Sequence, residues 1–427
     1  MPLGRAHLLA SMVMREVRRA GLPADDVLPL GSLRRWAPDI GDVSLLAVAQ
    51  PAVHHQVLDG FLRLPPVTAV LAKLPSSVEV ATERGRVRLH VTAPEDAGAA
   101  LVWHTGTRRH TQQLQARASR VGLVLSDGLL SRPNGALVST PDEEEVYRRL
   151  QLPFISPELR EGLDEIARAA SGELPVLVAP SDIRGDLHMH STWSDGRDSI
   201  QHMVLAAKQL GYEYVAITDH SERAFASRKL LALEIPIQRE EILALRSRIH
   251  GIEILHGIEV DIMPDGSLDF DDTQLEGFDI VLASLHDDRG DDGARLTDRY
   301  VRAMMNPMVN VITHPANRSP ALSNGYDLDY DRLFAAAVAT GTALEVDGAP
   351  GHLDMDGAIA RRAVEAGVTV TIDSDCHRAE ALERQMRFGI GTARRGWVQA
   401  AHVLNARNVD AVRAFVARKR NTERAGR

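Results

Sequence analysis

Residues 184–196 read RGDLHMHSTWSDG and place His188, His190 and Asp195 within one short stretch. Side chains at i and i+2 of an extended segment point the same way, so His188 and His190 are spaced to grip a single ion together. The run that contains them, DIRGDLH, reads as a strand. Six further β-branched-rich runs follow it: YEYVAIT, IEILHG, FDIVLASL, VNVITH, TALEVD and VTVTIDS. The amphipathic stretches SIQHMVLAAKQLG, REEILALRSRI, DRLFAAAVATG and GAIARRAVEAG lie between most of them. Apolar strands alternating with helices imply parallel pairing with both sheet faces covered. The expected class is therefore α/β, with a closed or nearly closed barrel from about residue 183 onward.

The ends of these runs carry the chemistry. In turn they finish at His188 with His190, at Asp219-His220, near Glu259, at His286, at His314, at Asp347, and at Asp373 through Asp375 and His377. All strand C-termini of a parallel barrel open on one face, so these residues are expected to converge there. Asp375 and His377 repeat the i, i+2 arrangement. Imidazoles mixed with carboxylates suit Zn, Fe or Mn, whereas carboxylates alone suggest Mg or Ca. Nine candidate metal ligands, His188, His190, Asp195, His220, Glu259, His286, His314, Asp375 and His377, exceed what one ion needs. Two or three divalent ions sharing a bridging carboxylate are expected. A lone histidine after a strand is more often a capping or packing residue, and His202, His250, His256 and His402 are read that way. His352, in GAPGHLD, is left open between a loop residue and a substrate contact. Arg223, Arg228 and Lys229, in SERAFASRKL, are placed either to clamp a phosphate or to form a solvated loop.

The rest of the chain bounds these readings. Its 427 residues accommodate two or three domains, and a hydrophobic fraction of 44% with 25% charged residues fits a soluble globular protein. No run reaches the roughly 18 apolar residues of a membrane span, and the opening MPLGRAHLLASMVMREVRRAG reads as an amphipathic helix. The single cysteine, Cys376, excludes an internal disulfide, and a cytoplasmic setting is expected. Residues 1–182 carry 20 Lys+Arg against 21 Asp+Glu, and residues 183–427 carry 29 against 37, so the net charge of −9 lies mainly in the second half. Non-specific nucleic-acid binding depends on basic surface, so charge does not point to a nucleic-acid partner. The expected organisation is a first region over 1–95, a helical region over 96–168, a linker over 169–182 with Gly172, Pro175 and Pro180, and a barrel domain over 183–427.

The motifs DLHMHSTWSDG, AITDHSE, HGIEVDI, ASLHD, VITHP and IDSDCH, in that order over most of residues 183–390, resemble those of the PHP (polymerase and histidinol phosphatase) domain. The resemblance implies a distorted seven-stranded TIM-like barrel. It implies one ion on His188, His190, Glu259 and Asp375, a second on Glu259, His286 and His314, and a third on Asp195, His220 and His377. The chemistry implied is hydrolysis of a phosphate ester, because clustered ions generate a nucleophile from water and neutralise the phosphoryl oxygens.

GSLRR followed by GDVSLL resembles the palm motif of X-family DNA polymerases, a nucleotidyltransferase-like α+β region. VWHTGTRRHTQQLQARASRVGL and LPFISPELREG resemble the start and end of the thumb. Gly31-Ser32 would then cradle a triphosphate. The active palm carries an Asp-x-Asp pair and a third Asp on a neighbouring strand, together holding two Mg²⁺ ions. Here the pair reads Asp42-Val43-Ser44, and the third strand reads Val87-Arg88-Leu89. Polymerase activity is expected to be lost, and no fingers region is expected ahead of the palm-like segment. The first half is expected to serve as a scaffold or to position a nucleic-acid end through Arg34, Arg35, Arg84, Arg86 and Arg88. The resulting expectation is a metal-dependent phosphoesterase acting on a DNA end, as a Mn-stimulated 3′-5′ exonuclease or 3′-end phosphatase. A small-molecule phosphatase and a non-catalytic DNA-repair scaffold are the alternatives.

Overall fold

Seven short parallel strands in sequence order build the second half of the chain. The computed structural model describes residues 1–224 and 226–424; residue 225 and the last three residues of the expected barrel domain lie outside the described residues. The chain divides into two compact units, Met1–Pro175 and Val176–Arg427.

The first unit holds a mixed sheet of β1 (Asp26–Pro29), β2 (Val43–Val48), β3 (Ala69–Leu74), β4 (Ser77–Thr82) and β5 (Gly85–Thr92), in the order β1-β2-β5-β4-β3. The region expected to be helical from 96 onward has helices at Ala97–Thr105 and Arg108–Arg120, but a hairpin of β6 (Val124–Ser126) and β7 (Leu129–Ser131) interrupts it. The turn is Asp127-Gly128, whose φ angles of 50° and 78° are the left-handed pair that a tight hairpin requires.

In the second unit, β8 (Gly185–Asp186), β9 (Tyr214–Ile217), β10 (Glu253–Asp261), β11 (Ile280–Ser284), β12 (Val311–Ile312), β13 (Ala343–Asp347) and β14 (Val370–Asp373) pair in that order, all parallel. This is the seven-stranded TIM-like barrel that the sequence implies. The helices behave as amphipathic patterns should. In Ile200–Gln209, Ile200, Met203, Val204 and Ala207 form the buried stripe, and the Ser199 side chain caps the first turn by accepting from the His202 N–H.

The seam between the first and last strands closes by other means than a full ladder. Met189 and Cys376 form one bridge, the Leu187 N–H donates to Asp373 Oδ1 at 2.8 Å, and Asn405 Nδ2 donates to the carbonyls of Gly185 and Ile372. The helix Val409–Arg424 packs Val412, Phe415 and Val416 against Leu187, Tyr214, Leu255 and Leu282. That plug fills the end where the strands start, which leaves the strand C-termini as the open face. Among the described residues no helix is long and apolar enough to cross a membrane.

Candidate metal centre

All the strands but β13 carry or are followed by ligand-type side chains that meet in one cluster. His188 Nε2 and His190 Nε2 lie 3.1 Å apart, and Asp375 Oδ1 is 3.6 Å from the first and 3.2 Å from the second. Glu259, from β10, sits in the middle. Its Oε2 is 2.8 Å from His220 Nδ1, 3.4 Å from His188 Nε2 and 3.6 Å from His190 Nε2, and its Oε1 is 3.1 Å from His314 Nε2 and 3.9 Å from His286 Nε2. Asp195 Oδ1 lies 3.2 Å from His377 Nε2 and 3.6 Å from His220 Nε2. The sharp turn that aims Asp195 depends on Gly196, where a Cβ would come within 2.6 Å of the His190 carbonyl.

The donor set fits cations. His188 Nδ1–H donates to Glu345 Oε1 at 2.7 Å, which leaves the Nε2 lone pair facing the cluster. His286 Nδ1 is held at 2.5 Å by Asp261, and His377 Nδ1 at 3.0 Å by the Asp375 carbonyl. Glu259 Oε2, Asp195 Oδ1 and His220 Nδ1 are buried with no hydrogen-bond partner among the described residues. Buried polar atoms are rarely left so, and ions held at these side chains would satisfy them. Three groups have donor atoms close enough to share an ion: His188, His190 and Asp375; His220, Glu259 and His286; and His190, Asp195, His220 and His377. The family resemblance put His314 rather than His220 with Glu259 and His286, so the geometry draws His220 into both outer groups.

Charge in the cluster is balanced by proximity. Burial pushes the Glu259 carboxyl up, but His188 and His220 beside it hold it well below the usual carboxylate range. Burial, with His377 and His220 nearby, lowers His190 to about 3, so it is a neutral imidazole with a free lone pair. His314 and Asp375 have φ angles of 27° and 47°. Left-handed backbone at non-glycine residues is costly and concentrates at functional sites.

The remaining expected residues fall in different places. His352 stacks on His314, with ring centroids 5.1 Å apart. Arg223 and Arg228 are exposed and Lys229 is half-buried, and none makes an ion pair among the described residues. His256 packs on Phe278 and bonds Gln238, His402 caps a turn, and His202 and His250 are exposed. Asp347, read as a strand-end candidate, accepts the Ala349 N–H and shapes its own turn. The sequence reading missed Glu345 and Asp261. Both were findable, since each lies two residues from a singled-out position on the same strand and so points to the same side.

In the first unit, Arg34 and Arg35 were candidate phosphate contacts. Arg34 instead donates twice to Glu143, and Arg35 donates to Glu161 and to the Thr105 carbonyl. Arg88 is paired with Glu79 at 2.6 Å, while Arg84 and Arg86 are exposed.

Family comparison follows this geometry. The PHP domain model matches residues 186–314, and the DNA polymerase beta thumb model matches residues 100–161. The DNA polymerase/3′-5′ exonuclease PolX of Bacillus subtilis (strain 168) is 36% identical over 393 residues, spanning 91% of this chain and 68% of that protein. The chain belongs to the PolX family. The chain is also similar to a probable phosphatase of Thermoanaerobacter sp. (strain X514), 31% identical over 45% of this chain and 78% of its own length. Another, from Syntrophotalea carbinolica, is 30% identical over 46% of this chain and 81% of its own length. The second unit of this PolX-family chain is thus a PHP metal-dependent phosphoesterase domain, of a family that works with several ions.

Proposed function

We propose that this PolX-family chain is a Mn²⁺-stimulated 3′-5′ exonuclease or 3′-end phosphatase on DNA, and that it does not polymerise. The observation that carries the reading is the convergence of eight ligand-type side chains on one barrel mouth, with His314 beside Glu259 as a ninth, in a chain whose similarity to a polymerase/exonuclease spans both units. The ions, when bound, polarise the phosphoryl group and lower the pKa of water. The chain's own residues do the rest. Glu259, Asp375 and Asp195 supply the negative charge that retains the cations. His188, His190, His220, His286, His314 and His377 would supply imidazole nitrogens, with Glu345 and Asp261 fixing two of the rings. Mn, Zn and Fe all suit this mixture.

Loss of polymerisation rests on the palm-like sheet. β2 and β5 pair with Ser44 opposite Arg88, so the place for three carboxylates holds one carboxylate at Asp42, a hydroxyl and a guanidinium. The Arg88 guanidinium, paired with Glu79 at 2.6 Å, offers no oxygen to Mg²⁺ where a carboxylate is needed.

The direct test uses a 5′-labelled single-stranded oligonucleotide with Mn²⁺ or EDTA, and a primer–template with nucleotide triphosphates. A Mn²⁺-dependent ladder shortening from the 3′ end, with no primer extension, is the expected result. An intact oligonucleotide beside rapid hydrolysis of a small ester would favour the small-molecule phosphatase reading, which the probable phosphatases among the relatives support. Primer extension would overturn the reading of Asp42, Ser44 and Arg88.

Glu345 gives a second expectation. Its Oε1 accepts from the His188 ring and its Oε2 accepts the backbone N–H of His314 at 2.8 Å, so one carboxylate holds a candidate ligand ring and the main chain that carries another. Glu345→Gln is expected to weaken ion affinity by about 10–100-fold in a chelator-competition titration, the usual loss for an orienting partner. Unchanged affinity would remove Glu345 from that role.

A further inference from the structure

The segment THPANR, residues 313–318, carries a buried cation beyond the ion cluster. Arg318 is 5% exposed, and its Nε and Nη1 have no hydrogen-bond partner among the described residues. Its ion pair, from Nη1 to Asp356 Oδ2, is long, at 3.6 Å, while Asp356 Oδ1 caps the helix Gly357–Glu365 through the N–H groups of Ala358 and Ile359. The Arg318 backbone N–H reaches Asp354 Oδ2 at 3.4 Å, while Asp354 Oδ1 is buried and unpartnered.

The same two loops meet again nearer the ions. His352, on the loop after β13, stacks on His314, and its Nδ1 is buried without a partner. Leaving a charged donor buried and unpaired is costly, and a guanidinium offers a planar fork that matches the oxygens of a phosphate. Arg318 thus presents unsatisfied donors, and His352 an unpartnered ring nitrogen, on the loops after β12 and β13.

We propose that Arg318, together with His352 on the loop after β13, forms a phosphate-recognition subsite that holds a non-bridging oxygen of the substrate's phosphoryl group. This deepens the phosphoesterase reading and rests on it. Arg318 is a specificity residue in this account, acting on the ester after the ions have been loaded by other side chains.

The test compares the metal-loaded wild type with Arg318→Lys and Arg318→Gln, reading KM, the inhibition constant of inorganic phosphate, ion content and melting temperature. Both KM and the phosphate inhibition constant should rise by about tenfold or more in Arg318→Gln and by less in Arg318→Lys, at unchanged ion content. Unchanged phosphate inhibition in Arg318→Lys with a lowered melting temperature would overturn the proposal, leaving Arg318 as a structural tie to Asp354 and Asp356. If Arg318→Gln fails to fold, the Lys variant decides alone. If the wild type hydrolyses no phosphate ester, the parent reading fails, and calorimetric titration of inorganic phosphate into wild type and Arg318→Lys still decides the subsite: tighter binding by wild type supports it, and equal or no binding overturns it.

Discussion

Glu259→Gln should lower phosphoester hydrolysis by about 10³-fold or more, because the ions supply several kcal/mol of transition-state stabilisation and this residue is their shared anchor. Its two oxygens lie between 2.8 and 3.9 Å from five imidazoles, His188, His190, His220, His286 and His314. An amide of the same shape removes the charge and one acceptor but keeps the volume. The fold should survive, since β10 is held by backbone pairing to both β9 and β11. Initial rates with saturating Mn²⁺, alongside circular dichroism, check this. A variant within tenfold of wild type would show that Glu259 does not bridge ions.

The second large effect is one of stability and lies in the first unit. Glu143 neutralises two guanidinium groups: Arg160, fully buried, donates to it at 2.5 Å, and Arg34 donates at 2.6 and 2.7 Å. Removing one partner of a buried pair leaves an uncompensated charge, so Glu143→Ala should cost about 3–5 kcal/mol. For a unit of this size that lowers the melting temperature by roughly 6–20 °C. Glu145, on the same helix, is the control. It pairs with Arg148 and Arg149, whose side chains are 67% and 44% exposed, and such pairs contribute about 1 kcal/mol or less. Equal shifts for Glu143→Ala and Glu145→Ala in a thermal scan would contradict the buried-network account.

These two cases mark what the sequence disclosed. The barrel was legible because parallel strands buried on both faces read as short apolar runs, and because their ends all open on one side. A histidine or acid at each end is therefore a local signal of a shared place. Glu345 and Asp261 were marked only by lying two residues from a singled-out acid on the same strand, and which ring each one orients is set by the tertiary fold. Arg34 and Arg35 looked free beside a glycine turn. Their partners Glu143 and Glu161 lie far along the chain, and only the tertiary fold reveals that these charges are already paired. The Asp127-Gly128 hairpin was written in the sequence but was masked by the helical pattern on either side.

The account stands on several ions bound at one barrel mouth. Its most direct measurement is elemental analysis of the purified chain after equilibration with Mn²⁺ and desalting, for wild type and His190→Ala. Two or three ions per wild-type chain, with a clear loss in the variant and an intact circular dichroism spectrum, is the predicted result. A wild-type chain that retains none, or a variant that retains as many, would contradict it.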